Sequence, residues 1–200
     1  MLRDLYLKNS QIPVRYYNDI SLVPCNEDLE TFKELNDIRN NIKSFVDEGK
    51  NLLIYSNNVG NGKTTWSIKL LKAYIDSVQN ISFNNRCPAL FININKFLNE
   101  KKLAFNDKDL QQKVTETEKN ILSAKLVVFD DIGVKALSDY DKMNVYYWID
   151  ERTNNMKSCI YTTNLSLRRL EGYFDDARIY NRVEGYSIVK EIKDGSNREC

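Results

Sequence analysis

A glycine-containing turn between an apolar segment and an amphipathic one constrains the fold of this chain most. Apolar residues at 52–54 lead into Tyr55-Ser56-Asn57-Asn58-Val59-Gly60-Asn61-Gly62-Lys63-Thr64-Thr65, where Gly-Lys-Thr opens the amphipathic segment. A strand, a glycine turn and a helix that begins at Gly-Lys-Thr are the context of a phosphate-binding loop. Backbone N–H groups of such a turn and helix N-terminus surround phosphate oxygens. The pattern therefore predicts a site for a nucleoside triphosphate.

Individual residues of this loop have different predicted roles. We expect the Lys63 ammonium to reach the β- and γ-phosphates of ATP and the Thr64 hydroxyl to bind Mg²⁺. The remaining predicted nucleotide-binding residues are Asn58, Val59, Gly60, Asn61, Gly62 and Thr65. Asn57 occupies the first glycine position of the motif. Because asparagine tolerates a positive φ better than most residues, we expect the turn to survive this change.

Composition narrows the class of protein. The chain has 200 residues, enough for one α/β domain of medium size, and its net charge of +1 excludes nucleic-acid binding through overall charge. Histidine is absent, which excludes histidine-based catalysis and histidine-ligated zinc. The cysteines form no C-x-x-C pair, and no apolar stretch approaches the ~18–20 residues of a membrane span. These features predict a cytoplasmic protein without a membrane partner.

Strand-like and helix-like segments alternate after residue 50. The predicted strands cover 51–56, 89–93, 125–130, 158–163 and 186–192, and helices are expected after the glycine turn and at 95–103, 108–123, 139–156 and 175–184. Such alternation predicts an α/β fold whose mostly parallel five-stranded sheet is covered by helices on both faces. In the helix after Ser138, the spacing places Tyr140, Met143 and Tyr147 along one stripe.

Residues 1–50 precede this alternation and are predicted to form an arm and one helix that pack on a core of residues 51–200. The helix is expected over 28–48, because six apolar residues recur there at helical spacing: Leu29, Phe32, Leu35, Ile38, Ile42 and Phe45. The whole chain is expected to be one globular domain.

Two carboxylates follow another apolar segment, Leu126-Val127-Val128-Phe129. Open α/β sheets bind their ligands at the carboxyl ends of the strands, where Asp130 and Asp131 are expected to emerge. Asp130 is predicted to hold Mg²⁺ and Asp131 to polarise the attacking water. Glutamate is more usual than aspartate at the second position of related ATPases, so the efficiency of Asp131 as a base is an open question.

Three further residues are candidates for catalysis. Asn164 follows the predicted strand at 158–163, and it reaches the γ-phosphate if that strand lies between the other two. Arg178 and Arg182 lie four residues apart on one helix face. Arginine suits a group supplied to the nucleotide of a neighbouring subunit, although a solvated basic face is the alternative interpretation.

The motifs together resemble the helicase-loader branch of the AAA+ ATPases, the DnaC/DnaI type, and the closely related IstB-type ATPases of transposition. The resemblance runs from about residue 12 to residue 198. Besides the glycine turn, it depends on four segments: Ile12-Pro13-Val14-Arg15-Tyr16-Tyr17, Val128-Phe129-Asp130-Asp131-Ile132-Gly133, Tyr161-Thr162-Thr163-Asn164-Leu165-Ser166 and Arg178-Ile179-Tyr180-Asn181-Arg182-Val183. It implies a three-layer P-loop NTPase sandwich and ATP with Mg²⁺ as cofactors.

The resemblance also implies roles and partners. Asn164 corresponds to the sensor residue, and Arg182, rather than Arg178, is the better candidate for the arginine that acts across a subunit boundary. Arg198 lies in a terminal Gly-x-x-Arg pattern whose role we leave open. The implied partners are a replicative helicase, single-stranded DNA and further copies of the chain, joined through composite ATP sites. Residues 1–50 are expected to be too few for the separate N-terminal helicase-binding domain that is usual in such loaders.

Three functions remain open at this stage. The chain is expected to load or recruit a replicative helicase, but an ATPase that assists a transposase fits the same motifs. A weakly hydrolysing, nucleotide-dependent binding module that modulates a host helicase or loader is the third. A weak candidate surface for DNA combines lysines with aromatic residues: Lys96, Lys101, Lys102, Lys113, Phe97 and Phe105. Interleaved acidic residues favour a solvated helix face there instead.

Overall fold

Parallel β-pairing organises the chain. The computed structural model describes residues 2–18, 21–83 and 86–193. Within these ranges five strands form one sheet: β1 (Asn51–Tyr55), β2 (Ala89–Asn93), β3 (Leu126–Ile132), β4 (Ser158–Thr163) and β5 (Ser187–Glu191). The strand order is β2-β3-β4-β1-β5, and every neighbouring pair is parallel. The predicted five-stranded sheet is confirmed.

The insertion of β4 between β1 and β3 positions the candidate site. Leu52 of β1 pairs with Ile160 of β4, and Val128 of β3 pairs with the same residue from the other side. The carboxyl ends of β1, β3 and β4 therefore meet at one edge of the sheet. This arrangement satisfies the condition under which Asn164 was expected beside the glycine turn.

Helices cover both faces of the sheet. One layer contains α1 (Leu2–Asn9), α2 (Leu29–Asn40), α3 (Ile42–Asp47) and α4 (Lys63–Ser77). The other contains α5 (Ile94–Leu103), α6 (Lys108–Ser123), α7 (Asp139–Asn154), α8 (Leu167–Phe174) and α9 (Ala177–Tyr180). Leu52 and Ile54 of β1 face the first layer and Leu53 faces the second, as the two-residue period of a strand requires. The three-layer α/β sandwich is confirmed.

The N-terminal arm is packed onto the sheet and onto α4. Tyr6 of α1 is buried, and its hydroxyl donates to the Ile81 carbonyl at 2.7 Å. The arm then passes the edge strand β2, where the Phe91 N–H donates to the Ser10 carbonyl at 2.8 Å. A turn of 3-10 helix at Val14–Tyr16 buries Tyr16 in the core cluster that α4 shares. The Tyr16 carbonyl accepts a hydrogen bond from Lys72 Nζ of α4 at 3.3 Å.

The single helix predicted over 28–48 is wrong, because the helix breaks at Asn41. The Asn41 backbone leaves the helical region at φ −110° and ψ 22°. Its side-chain amide donates to the Asp37 carbonyl at 2.9 Å, as does its own N–H at 3.1 Å. Asparagine side chains compete in this way for backbone groups, which disfavours them inside helices. Two helices, α2 and α3, result.

The remaining helices show details that the sequence pattern did not give. The stripe of Tyr140, Met143 and Tyr147 is the exposed face of α7, and the core face carries Val145, Trp148 and Ile149. The start of α7 is as predicted, since the Ser138 hydroxyl accepts from the Asp141 N–H in a capping box. Helices α1 and α8 were not predicted. No helix in the described ranges is long and apolar enough to cross a membrane.

Gly133 lies where the loops that follow β3 and β4 pack together. Its φ is +99°, and a Cβ there would lie 2.4 Å from Leu165 Cδ1. We expect Gly133→Ala to lower the free energy of unfolding by about 2 kcal/mol or more, because both the left-handed backbone and the overlap oppose a side chain. Chemical denaturation of the purified variant measures the loss.

Gly172→Ala is the matched control. Gly172 lies in α8, where an added Cβ would meet nothing within 4 Å. Alanine favours a helix over glycine by roughly 1 kcal/mol, so this variant should be as stable as the parent or more stable. Equal losses in both variants would contradict the packing described for Gly133.

Candidate nucleotide-binding site

A small cavity lies at the carboxyl edge of the sheet, where the strands meet the N-terminus of α4. Its volume is about 200 Å³. Of the predicted site residues it is lined by Val59, Gly60, Asn61, Gly62, Lys63, Thr64, Asp131 and Asn164. Gly60 and Gly62 have φ of +82° and +98°, a region in which other residues are strained. The turn thus brings backbone N–H groups and one lysine to a common centre.

Lys63 is held within the loop that it belongs to. Its Nζ donates to the Asn58 carbonyl at 2.8 Å and to Asn61 Oδ1 at 2.8 Å. Burial lowers the pKa of Lys63 to about 8, although the charges of Asp131 and Asp130 act in the opposite direction. An anion in the cavity would offset this effect of burial. The ammonium is therefore arranged to receive a phosphate.

Asp130 is buried next to the cavity-lining residue Thr64 and connects three elements. Its Oδ1 accepts from the Thr64 hydroxyl at 2.9 Å and from the Thr162 hydroxyl at 2.7 Å. Burial raises the pKa of Asp130 to about 6, and the neighbouring Asp131 charge adds to the effect. The two hydroxyls and the charge of Arg15 oppose that shift. A divalent cation beside this carboxylate would stabilise its ionised form.

Asp131 stands on an irregularity of β3. The register between β3 and β4 shifts between Phe129 and Ile132, and Asp131 has a φ of +60°. Hydrogen bonds hold this strained backbone: the Asp131 N–H donates to Thr162 Oγ1 at 3.0 Å, and its carbonyl accepts from Asn95 Nδ2 at 2.9 Å. Strained backbone persists only where the surroundings fix it. Here the bulge turns the carboxylate to the cavity.

Of the remaining loop residues, Asn61 lines the cavity, whereas Asn58 and Thr65 do not. The Asn58 N–H donates to Ser56 Oγ at 3.0 Å, and its side-chain amide donates to the Lys193 carbonyl at 2.9 Å. The Asn61 amide donates to Ser56 Oγ and to the Ile192 carbonyl. The Thr65 hydroxyl is buried without a partner among the described residues.

Arg178 and Arg182 do not line the cavity of their own chain. Arg182 belongs to the π-helical turn at Asn181–Gly185 and forms an ion pair with Asp150 of α7. Arg178 pairs with Asp176 at 2.8 Å and is 68% exposed. Both guanidinium groups lie over the Tyr146 ring, at 5.0 and 5.1 Å from its centroid. Each arginine therefore has a local carboxylate.

Two further expectations concern Asn57, at the first motif position of the loop, and Arg198. The positive φ allowed for at Asn57 does not occur there, since the left-handed residues of the loop are Gly60 and Gly62. The loop therefore turns without strain at its first motif position. Arg198 lies outside the described residues.

Sequence reasoning did not foresee the part that the arm plays in lining the cavity. Arg15 and Tyr16 line it beside the glycine turn. Leu22 lies against the turn as well, because a Cβ added to Gly62 would be 3.0 Å from Leu22 Cδ2. The segment 12–17 carries only a resemblance to a family. No local pattern in it indicates a contact with residues some forty-five positions further along the chain.

The candidate DNA-binding surface of lysines and aromatic residues is not a continuous exposed patch in the structure. Phe97 is buried in the core and packs on Trp148, at 5.3 Å between ring centroids. Each of the four lysines forms an ion pair within the chain: Lys96 and Lys113 with Glu100, Lys101 with Glu118, and Lys102 with Asp141. A solvated, ion-paired face was the favoured alternative, and the structure agrees with it.

The family of the chain is shown by its match to a family model. A family model described as IstB-like ATP binding protein matches residues 26–199. The chain belongs to this family. It is thus an ATP-binding protein by family, as the glycine turn predicted. No curated protein sequence matches the chain.

Solved structures show the fold. The DnaC helicase loader superimposes with a TM-score of 0.68 at 24% identity, over 90% of this chain and 100% of that one. A candidate primosome component from Streptococcus pyogenes serotype M3 gives 0.69 at 17% identity, with 100% of both chains covered. DnaI gives 0.65 at 18% identity, with 96% and 94% covered. These likenesses confirm the P-loop AAA+ fold of this IstB-like protein.

The oxygen donors of the site fit Mg²⁺ bound together with a nucleotide. The described residues hold no group of three or more Cys, Asp or Glu side chains placed to bind a metal by themselves. Thr64 and Asp130 offer two hard oxygen donors 2.9 Å apart. Mg²⁺ is commonly bound through one or two protein groups, with phosphates and water as its other ligands.

The pKa of Asp130 predicts a pH dependence. Because that pKa is about 6, protons compete with a cation for this carboxylate below that pH. We expect the gain in ATP affinity on adding Mg²⁺ to be full at pH 7.5 and to shrink as the pH falls through 6. Calorimetric titrations with and without EDTA measure the gain. Asp130→Asn should show a small gain at every pH, and a gain independent of pH in the parent would contradict the prediction.

Proposed function

We propose that this protein hydrolyses ATP with Mg²⁺ in composite sites between its own subunits. The proposal depends on one observation, the presence of Lys63, Thr64, Asp131 and Asn164 around a single cavity. A phosphate cradle, a metal ligand, a carboxylate and an amide are the groups that hydrolysis of a terminal phosphate requires. Mg²⁺, when bound, would neutralise charge that develops on the phosphates.

Each side chain has a distinct part in this proposal. Lys63 exchanges the Asn58 carbonyl and the Asn61 amide oxygen for phosphate oxygens. Asp131 accepts a proton from the attacking water, and Asn164 orients that water. Asp131 is held by the Asn93 amide, which donates to its Oδ2 at 3.3 Å. Because this bond restricts the Asp131 carboxylate, whose side chain is shorter than that of the glutamate usual at this position, we expect slow rather than fast turnover.

The arginine that completes the site comes from a neighbouring subunit in this proposal. Arg178 and Arg182 are placed away from the cavity of their own chain, which supports a role in trans. Resemblance favours Arg182. Its ion pair with Asp150 is partly exposed, with 25% and 20% of the two side chains accessible, so that the pair can open when a phosphate competes for the guanidinium.

Helicase loading is the biological role that we propose for this ATPase. The DnaC structure, which superimposes over its whole length, is that of a helicase loader. ATP would favour the assembled state, and hydrolysis would reverse it on a replicative helicase or on single-stranded DNA. The match to the IstB-like model favours a second candidate, an ATPase that assists a transposase. Pull-down with each class of partner, in the presence of ATP, separates these two roles.

Turnover by mixed variants tests the composite site. We expect Lys63→Ala and Arg182→Ala each to lower ATP turnover by roughly a hundredfold or more, as a missing phosphate lysine or trans-acting arginine does. Mixing the two variants should restore part of the activity, because some interfaces then combine an intact Lys63 with an intact Arg182. A phosphate-release assay with and without single-stranded DNA measures this.

Asp150→Asn is the control for the arginine. It removes the ion pair of Arg182 but keeps the guanidinium, so turnover should persist. Loss of turnover in Asp150→Asn equal to that in Arg182→Ala would indicate that the arginine stabilises the fold only. ATP binding without turnover in the parent, with DNA and partner present, would contradict the ATPase and favour a nucleotide-dependent binding module. The same assay on Arg178→Ala decides which of the two arginines acts in trans.

A further inference from the structure

Arg15 brings a second cation to the nucleotide cavity, and it comes from the N-terminal arm. It lines the cavity together with Lys63, Thr64, Asp131 and Asn164. Within the described residues Arg15 forms no ion pair with a carboxylate, whereas Arg178 and Arg182 each do. A guanidinium that faces a phosphate-binding cavity without a carboxylate partner is available for an anionic ligand.

The guanidinium is held by its neighbour in the arm. Arg15 Nη2 donates to the Tyr16 hydroxyl at 3.0 Å, and the guanidinium carbon lies 4.7 Å from the centre of the Tyr16 ring. Tyr16 itself is only 3% exposed, and its carbonyl accepts from Lys72 of α4. A planar guanidinium has five N–H donors. After one bond to a hydroxyl, it therefore still has a pair of N–H groups that can donate to two phosphate oxygens.

Arg15 shares the cavity with the residues that are expected next to the terminal phosphate. Asp131 and Asn164 emerge from the ends of β3 and β4, on the side of the cavity where the γ-phosphate of a P-loop nucleotide lies. Arg15 lines the same cavity as these two residues, within which a phosphate and its attacking water would lie.

We propose that Arg15 binds the γ-phosphate of the nucleotide held by its own chain and makes the site prefer ATP to ADP. The assignment rests on the proposed function, because it requires a nucleotide on the glycine turn. Tyr16 is a positioning residue in this assignment, since it acts only through the guanidinium. The arm would then report whether a third phosphate is present.

Nucleotide affinities test the assignment. Calorimetry with Mg²⁺ and either a non-hydrolysable ATP analogue or ADP is carried out on the full chain and its variants. We expect Arg15→Ala to weaken binding of the triphosphate by about tenfold or more, as loss of a charge-assisted contact does, and to change ADP binding by less than about threefold. Arg15→Lys and Tyr16→Phe should show smaller losses, again confined to the triphosphate.

A matched variant controls for charge alone. Arg39→Ala removes one exposed positive charge from α2, outside this cavity, and should leave both affinities unchanged. Thermal unfolding verifies that every variant is folded, and the exposed Arg15 side chain makes loss of folding an unexpected result. Because Arg15→Lys keeps the charge and the aliphatic chain, it preserves the test if the alanine variant is unstable.

The outcomes separate this assignment from the proposed function. Equal weakening of triphosphate and ADP, or no change in either, would overturn the role of Arg15 while nucleotide binding stands. Failure of the parent chain to bind either nucleotide would overturn the proposed function, and the assignment with it. A loss confined to the triphosphate, absent in Arg39→Ala, is the result that supports the role of Arg15.

Discussion

The hydrogen bonds to one buried carboxylate hold the site together. Asp130 accepts from Thr64 on α4 and from Thr162 on β4 while it ends the buried part of β3. Three segments that lie far apart in the sequence are therefore fixed to a single oxygen atom. Without these donors a buried carboxylate would be strongly disfavoured, and even with them burial raises its pKa to about 6. The remaining unfavourable energy is available for a cation to relieve.

The same network explains why the neighbouring residue points into the cavity. Thr162 donates to Asp130 and accepts from the Asp131 N–H, so one hydroxyl connects the two aspartates. Asp131 needs a positive φ to turn from the strand, and aspartate is one of the few residues that accept it. The β-bulge accompanies this arrangement, in which Asp130 is buried and Asp131 lines the cavity.

Sequence reasoning predicted the parts of the site whose chemistry is local. The glycine turn, Asp130 with Asp131, and Asn164 each follow an apolar strand, and parallel pairing brings strand ends together whatever the details. Spacing alone could not tell whether the stripe of Tyr140, Met143 and Tyr147 is buried or exposed, because α7 carries aromatic residues on both faces. Arg15 was not predicted because its place depends on the path of the arm past β2 and α4. That path follows from tertiary contacts of Tyr6, Ser10 and Tyr16, and no periodicity encodes it.

Four cationic side chains divide into two that line the nucleotide cavity of their own chain and two that do not. Lys63 and Arg15 line the cavity, while Arg178 and Arg182 lie outside it, each beside a carboxylate of the same chain. Under the proposed function, a neighbour's arginine must leave its carboxylate before it reaches a phosphate. For a partly exposed ion pair this exchange is close to balanced, since such pairs contribute about 0–1 kcal/mol. Under that proposal, a small difference in phosphate charge would be enough to shift the equilibrium, and assembly would follow the nucleotide because neither arginine is bound strongly to its own subunit.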